Sequence, residues 1–530
     1  MPPSATDVIL AIDHGTSGIK AAIVSVTGQV LDYEFEGTPI HFLPGGGAEQ
    51  DPADWWKALL AAAGRLLARE AAPRSRIAAI SVSSTFSTTV AVDRDGNPLM
   101  NAITWMDSRG APLVKQIVSG FPSIEGYGLR MLLKWIPRTG GGPTLSGKDD
   151  IAHVLLIQHE FPDVYDRTRM FLPSKDYLNL RLTGKFASSY DAMQLFWVSD
   201  IRDVNRIRYD PELIAILGID PEKLPPMRAS TDVLGTLNPR VADTLGLPSD
   251  LKVVTGSPDH QTACIGSGAV TDYSAHLYVG TSSWIQAVVP FKKTDMFHSI
   301  ASFPTAIPGK YQSVNEQDLA GGCLDFLFNN LLFPDPDGED PFANLDAIAG
   351  RVPPGSDKLI FLPWLNGERT PVDDATARGG FFNMGKTHTR DHLVRSVLEG
   401  VALNTRWSLK YVEKFVGRRL DPIHFVGGGA QSDLWCQIFA DVLDRTIRQV
   451  EHPRQANARG AAFIAAVGLG HIGFGDIPGL TRFKRTYSPD PENRGIYDEL
   501  FDAFVRVYGK NRKLFRRLNR PDRERIIPPR

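Results

Sequence analysis

Asp13 stands just before the turn Gly15-Thr16-Ser17-Gly18, and these residue types together suit a phosphate and Mg²⁺ site. Backbone N–H groups reach phosphate oxygens where glycine removes the Cβ, and a hard carboxylate holds the metal's waters. An ordinary hairpin uses the same residues, because Asp and Gly dominate turns everywhere. Gly280-Thr281-Ser282 repeats the turn half a chain length later, and two such turns could grip one polyphosphate from opposite sides. Gly427-Gly428-Gly429-Ala430 joins a strand to a helix, where its amides can lie beside a base or phosphate. It has neither the lysine of a P-loop nor the spacing of a dinucleotide-binding fingerprint.

Asp259, after Gly256-Ser257-Pro258, is placed to take the proton of an attacking hydroxyl. Phosphoryl transfer asks a protein mainly for positioning, charge neutralisation and one base. As a first-turn acid after Pro258 it would equally serve a helix N-terminus. His260 reads as a hydrogen-bonding neighbour rather than a second base. Trp105, Asp107 and Arg109 offer an aromatic face for a sugar ring with charges to fix its hydroxyls; a core Trp beside a surface ion pair is the plainer alternative.

The elements that must position these residues follow from periodicity. Val8 to Ile12 and Ile19 to Val26 read as strands on either side of the first turn, and Val30 to Glu34 as a third. Pro52 to Ala72 has helical spacing with Asp51 as its N-cap, and Ile77 to Ser81 and Thr88 to Asp93 return to strand character. His276 to Val279 and Trp284 to Val289 flank the second turn in the same way, which points to a duplicated domain. Lys252 to Thr255, Lys358 to Leu362 and Ile423 to Val426 read as further strands. Gln261 to Ile265, His392 to Tyr411 and Leu434 to Leu443 read as helices, so both halves are α/β. The Gly- and Pro-rich stretch from Arg138 to Asp149 reads as a mobile loop or insertion.

Composition narrows the function class. At 530 residues the chain needs at least two domains, and 42% hydrophobic with 22% charged residues is ordinary globular usage. A net charge of −2 argues against a nucleic-acid or anionic-membrane partner. Cys264, Cys323 and Cys436 lie too far apart for a zinc site or disulfide framework and are expected as buried small hydrophobes. The start of the chain lacks a leader pattern and no apolar run reaches spanning length, so a reducing cytoplasm is expected. Arg506 to Arg530 reads as a last helix with a solvated basic face and a frayed end.

The ordered set of short motifs resembles the FGGY carbohydrate kinases, and within them the xylulokinase branch, with the gluconokinases close by. It runs from Ala11-Ile12-Asp13-His14-Gly15-Thr16-Ser17 through Trp105-Met106-Asp107-Ser108-Arg109, Lys175-Asp176-Tyr177 and Arg181-Leu182-Thr183-Gly184. It continues with Gly256-Ser257-Pro258-Asp259, Gly367-Glu368-Arg369-Thr370-Pro371 and Gly427 to Ser432, and so covers nearly the whole chain. The resemblance implies two ribonuclease-H-like domains of the actin and sugar kinase superfamily with a cleft between them. A sugar-binding domain would span 1–254, a nucleotide-binding domain 255–490, and a helix with a basic tail 491–530.

ATP and Mg²⁺ would be the cofactors and a small sugar or polyol the partner; a homodimer is compatible with this. Asp259 would be the base and Asp13 the metal ligand. Gly15, Thr16, Ser17, Gly280 and Thr281 would meet phosphates, and Gly321, Asp325, Gly428, Gly429 and Asp433 the nucleotide. Thr85, Phe86, Trp105, Asp107, Asp259 and His260 would line the substrate. A second family signature appears as His392 to Glu399, with Asn383 where a glycine is usual, and His153 and Leu156 replace a Lys-x-x-Trp pair. Where xylulokinases carry Gln-Met-His-Gly, this chain has Ser84-Thr85-Phe86-Ser87, which argues against D-xylulose as the acceptor. The rivals on the same scaffold are a silent sugar or nucleotide sensor and an ATPase with a protein client.

Overall fold

Two sheets with the same wiring organise the chain. A computed structural model describes residues 6–332, 342 and 344–519; the start of the chain over 1–5 and the basic tail over 520–530 lie outside them. The first sheet runs Val30–Gly37, Gly18–Ser25, Val8–Gly15, Ile77–Ser84, Lys252–Pro258, Val233–Thr236. The second contains the corresponding series Tyr311–Val314, Ser283–Val289, Ala275–Val279, Ile423–Val426, Ile447–Val450, Phe483–Tyr487, extended at one edge by the hairpin of Thr294–Asp295 and Ile300–Pro304. In both series the first three strands are antiparallel, the next two join in parallel and the outermost is antiparallel. The difference is that the outermost strand precedes its neighbour in the first half of the chain and follows it in the second.

Val8–Gly15 is buried on both faces, which is why its sequence is a continuous apolar run rather than an alternation. The predicted helix after Asp51 spans Pro52–Ala68, with the Asp51 side chain accepting from the Ala53 amide. The helix predicted over His392 to Tyr411 is longer, Arg390–Val416. The strand Lys252–Pro258 pairs with Ile77–Ser84, so the first sheet extends past residue 254, where the sequence reading divides the chain. The last helix is Arg494–Leu518, and all three cysteines are buried and free. No described helix is long and apolar enough to cross a membrane.

The two halves are joined by a pair of helices, Asp259–Gly266 and Ala456–Gly468, that cross at backbone contact. The second comes from the C-terminal half but lies on the first sheet, where Ala458, Ala461, Ala462 and Ala465 pack with Ile9, Ala11, Ala22 and Val24. A Cβ on Gly266 would lie 1.8 Å from the Ala456 carbonyl oxygen, and one on Gly460 would lie 1.9 Å from that of Thr262. Side chains at these two positions would force the helices apart, and with them the two sheets.

Gly460→Ala is therefore expected to lower stability by about 1–3 kcal/mol through overpacking, despite the better helix propensity of alanine. Gly64→Ala, in a helix with open space at that position, is the control and should stabilise slightly. Chemical denaturation of both variants checks this; a shift of the same sign in both would contradict the crossing.

Candidate active site

The strand pairing of the first hairpin sets Gly15 opposite Gly18, leaving Thr16-Ser17 at its tip, and sets Asp13 opposite Lys20. Glycine is required at position 18 because a Cβ there would meet the Glu36 carbonyl oxygen at 2.2 Å. The second hairpin pairs Val279 with Ser283, closing over Gly280-Thr281-Ser282 with the Gly280 amide donating to the Ser282 carbonyl at 2.9 Å. Both tips line one cavity of about 2380 Å³, larger than one small ligand needs and large enough for two substrates side by side.

Asp259 lines the same cavity, at the start of the joint helix. Its aim is set by a bulge: Gly256 has φ +73°, the register slips between Val254 and Ser257, and a Cβ on Gly256 would lie 2.0 Å from the Val82 carbonyl oxygen. Burial first, then the negative charges of Asp13 and Glu316, push the Asp259 carboxyl well above the usual carboxylate range, against the hydrogen bonds of the His260 and Phe86 amides. Asp13 is itself nearly buried, with one oxygen 3.3 Å from Lys20 Nζ and the other, Oδ1, without a protein partner. This buried carboxylate oxygen with nothing to bond to is the atom a cation would meet, while no group of three or more metal-ligating side chains gathers among the described residues.

Thr85, Phe86, Trp105 and His260 line the cavity. The Thr85 amide donates to the His14 carbonyl at 2.9 Å, and the Phe86 ring packs near His260 and Phe303. His260 stacks on Trp284 with centroids 4.1 Å apart, and its Nδ1 accepts from Gln286 Nε2 at 2.8 Å. Burial lowers its pKa, so the ring is neutral and engaged rather than a second base. The Trp105 indole donates to Thr16 Oγ1 at 3.0 Å, and the Arg369 guanidinium stands 5.5 Å over its ring.

Asp107 does not line the cavity as expected. It is fully buried and accepts from the Ala48 amide and from Arg109, whose guanidinium reaches on to Glu49 at 2.6 Å. Of the stretch Arg138 to Asp149, read as a mobile loop or insertion, Arg138 and Thr139 end the helix Leu129–Thr139 and much of the remainder lines the cavity. Asp149 accepts from the Trp197 indole at 2.6 Å and the Thr144 amide at 2.7 Å, and Gly141 lies so close to Trp197 that a Cβ would meet its ring at 2.6 Å.

Gly321, Asp325, Gly428 and Gly429 line the same cavity. The Gly321 amide donates to the Gly280 carbonyl at 2.8 Å, so the Gly321–Leu327 helix, which carries Asp325, starts against the second hairpin tip. Gly427, at φ +93°, passes the Val279 carbonyl oxygen so closely that a Cβ would lie 2.4 Å from it. Asp433, expected at the nucleotide, lies outside the cavity lining: Lys484 Nζ at 2.8 Å and Gln449 Nε2 at 3.1 Å hold its carboxylate.

Several charged residues that line the cavity received no role from the sequence, Lys20, Lys148, Glu316 and Arg369 among them. Lys20 was recoverable, since a two-residue turn after Gly15 places position 20 directly across from Asp13. Arg369 binds Glu316 and Asp318, the latter at 3.1 Å from Nε, and the neighbouring Glu368 is buried with its pKa pushed up to about 8.

The sign of the Asp259 shift yields a prediction. A carboxyl whose pKa is raised on folding binds its proton more tightly in the folded state, so stability is lost as pH rises from the ordinary carboxylate range through the raised value. Asp259→Asn removes that penalty and should raise the melting midpoint of the ligand-free protein by about 1–2 °C at neutral pH. The gain should vanish near pH 4. A melting series over pH 4 to 8 measures it, and destabilisation at neutral pH would contradict the electrostatic picture.

Comparison with known proteins agrees with this geometry. The family model described as the N-terminal domain of the FGGY family of carbohydrate kinases matches residues 8–266, and its C-terminal counterpart matches 275–469. A xylulose kinase of Staphylococcus epidermidis is 28% identical over 519 residues, covering 96% of this chain and 98% of the relative. A gluconokinase of Bacillus subtilis is 25% identical, covering 95% and 96%. Among solved structures, a gluconate kinase from Lactobacillus acidophilus superposes with a TM-score of 0.83 at 26% identity, covering 97% of this chain and all of that one. A xylulose kinase from Rhodospirillum rubrum superposes at 0.80 with 28% identity, covering 96% and 99%. The chain belongs to the FGGY family of carbohydrate kinases.

Proposed function

We propose that the half of the cavity walled by Thr85, Phe86 and Trp105 takes the sugar, and that the half walled by Gly280, Gly321 and Gly428 takes ATP. The γ-phosphoryl group would then lie between the two hairpin tips. The single observation that carries this reading is the convergence of Asp259, Asp13 and both Gly-Thr-Ser turns on one cavity. Asp259 accepts the proton of the acceptor hydroxyl as the new O–P bond forms and the bond from phosphorus to the β,γ-bridging oxygen breaks, releasing ADP. Asp13 would hold Mg²⁺, which supplies charge neutralisation at the phosphates. Lys20 holds Asp13 and adds a positive charge beside the first tip. A cation beside Asp13 would also offset part of the negative charge that, after burial, raises the Asp259 pKa.

The acceptor class is a ketopentose or a related polyol or sugar acid, drawn from relatives that carry the names xylulose kinase and gluconokinase. Closure of the halves about the helix crossing would keep water from the γ-phosphate.

Asp259→Ala should lower sugar-dependent ADP formation by about 10²-fold or more and leave nucleotide affinity nearly unchanged. Coupled ADP release and isothermal titration with ADP read the two quantities separately. Wild-type turnover in the variant would reject the base, and ADP formation indifferent to any sugar would reject the kinase reading in favour of an ATPase.

A further inference from the structure

The acceptor end of the cavity holds two cationic side chains with unused donors. Lys148 lines it, and its ammonium has no hydrogen-bond or ion-pair partner among the described residues. Arg369 also lines it. Its Nη1 and Nε are taken up by Glu316 and Asp318, but Nη2 is buried and makes no hydrogen bond. Glu316 and Asp318 are thus engaged by Arg369, and Glu368 is fixed by Asn404 and by the Asp318 and Arg369 amides.

Lys148 is held in place by its own backbone. The Ser87 hydroxyl donates to the Lys148 carbonyl at 2.9 Å, tying it to the Thr85-Phe86-Ser87 segment. Gly147 on one side has φ +71° with a Cβ position 2.3 Å from the Ala111 amide, and Asp149 on the other caps the Asp150–Glu160 helix. Burial first, then the nearby positive charge of Arg369, lowers the Lys148 pKa, against the negative charges of Asp318 and Glu316. Leaving such a donor unpaired is unfavourable, and a neutral hydroxyl relieves it less than an anion does.

We infer that the acceptor carries a carboxylate, which Lys148 and Arg369 Nη2 bind while Asp259 meets the hydroxyl to be phosphorylated; the substrate class is a sugar acid. Phe303, in edge contact with both Phe86 and Trp197, forms with them an apolar surface of the cavity. This rests on the kinase reading above and narrows its acceptor.

The test uses the full chain with ATP, Mg²⁺ and matched acceptors of one carbon skeleton, D-gluconate against D-glucitol, with five-carbon aldonates, alditols and ketoses beside them. A charge-assisted pair at the carboxylate should favour the aldonate by about 10²-fold in kcat/KM. Lys148→Met should reduce that preference by about 10-fold or more, mainly through KM for the aldonate, and Lys148→Arg should restore part of it. ADP affinity, read by titration, establishes that each variant is folded. Preference for a neutral ketose or alditol in the wild type overturns the inference and leaves the kinase reading standing, as does an equal loss on charged and neutral acceptors in Lys148→Met. Failure to phosphorylate any acceptor overturns both.

Discussion

The contact between the Asp259–Gly266 and Ala456–Gly468 helices is the constraint on which the rest of the molecule depends. Gly266 and Gly460 let the two backbones touch, and the alanines around Gly460 let the second helix lie flat on the first sheet. Each sheet delivers a hairpin with a Gly-Thr-Ser tip, and both tips line one crevice beside this crossing. It also carries Asp259, the proposed base, at its first residue, so that group is fixed to the joint between the halves. Placing a reactive carboxylate at a pivot keeps its position nearly constant as the walls close.

The crevice is electrostatically incomplete without its ligands. The negative charges of Asp13 and Glu316 bear on Asp259, Asp13 keeps an unbonded buried oxygen, and Arg369 keeps an unbonded buried nitrogen. Buried polar groups are ordinarily satisfied, so unsatisfied ones of both signs in one cavity mark where binding partners supply the missing bonds. The same features destabilise the empty protein, a familiar exchange of stability for function.

Local patterns were legible in the sequence wherever a short stretch decides the outcome. Gly15 and Gly18 close a two-residue hairpin, Asp51 caps its helix, and Asn383 occupies a glycine position with φ +64°, a conformation Asn tolerates better than most side chains. Asp433 was misread because the direction of its carboxylate is set by Lys484, from a strand that pairs only in the fold. Asp107 was misread because its partners, Ala48 and Arg109, turn it inward. The glycine-rich stretch before Asp149 gave no hint of order because Trp197, almost fifty residues later, provides the surface it lies on. Lys148 was missed for the same reason: its environment is assembled from segments far apart in the chain.

The most direct test is a crystal structure of the protein with a non-hydrolysable ATP analogue, Mg²⁺ and an acceptor. We predict that the β- and γ-phosphates lie between the amides of Gly15–Ser17 and those of Gly280–Ser282, with the acceptor hydroxyl against Asp259. Phosphates bound by one hairpin alone, or an acceptor remote from Asp259, would contradict a site shared by the two halves.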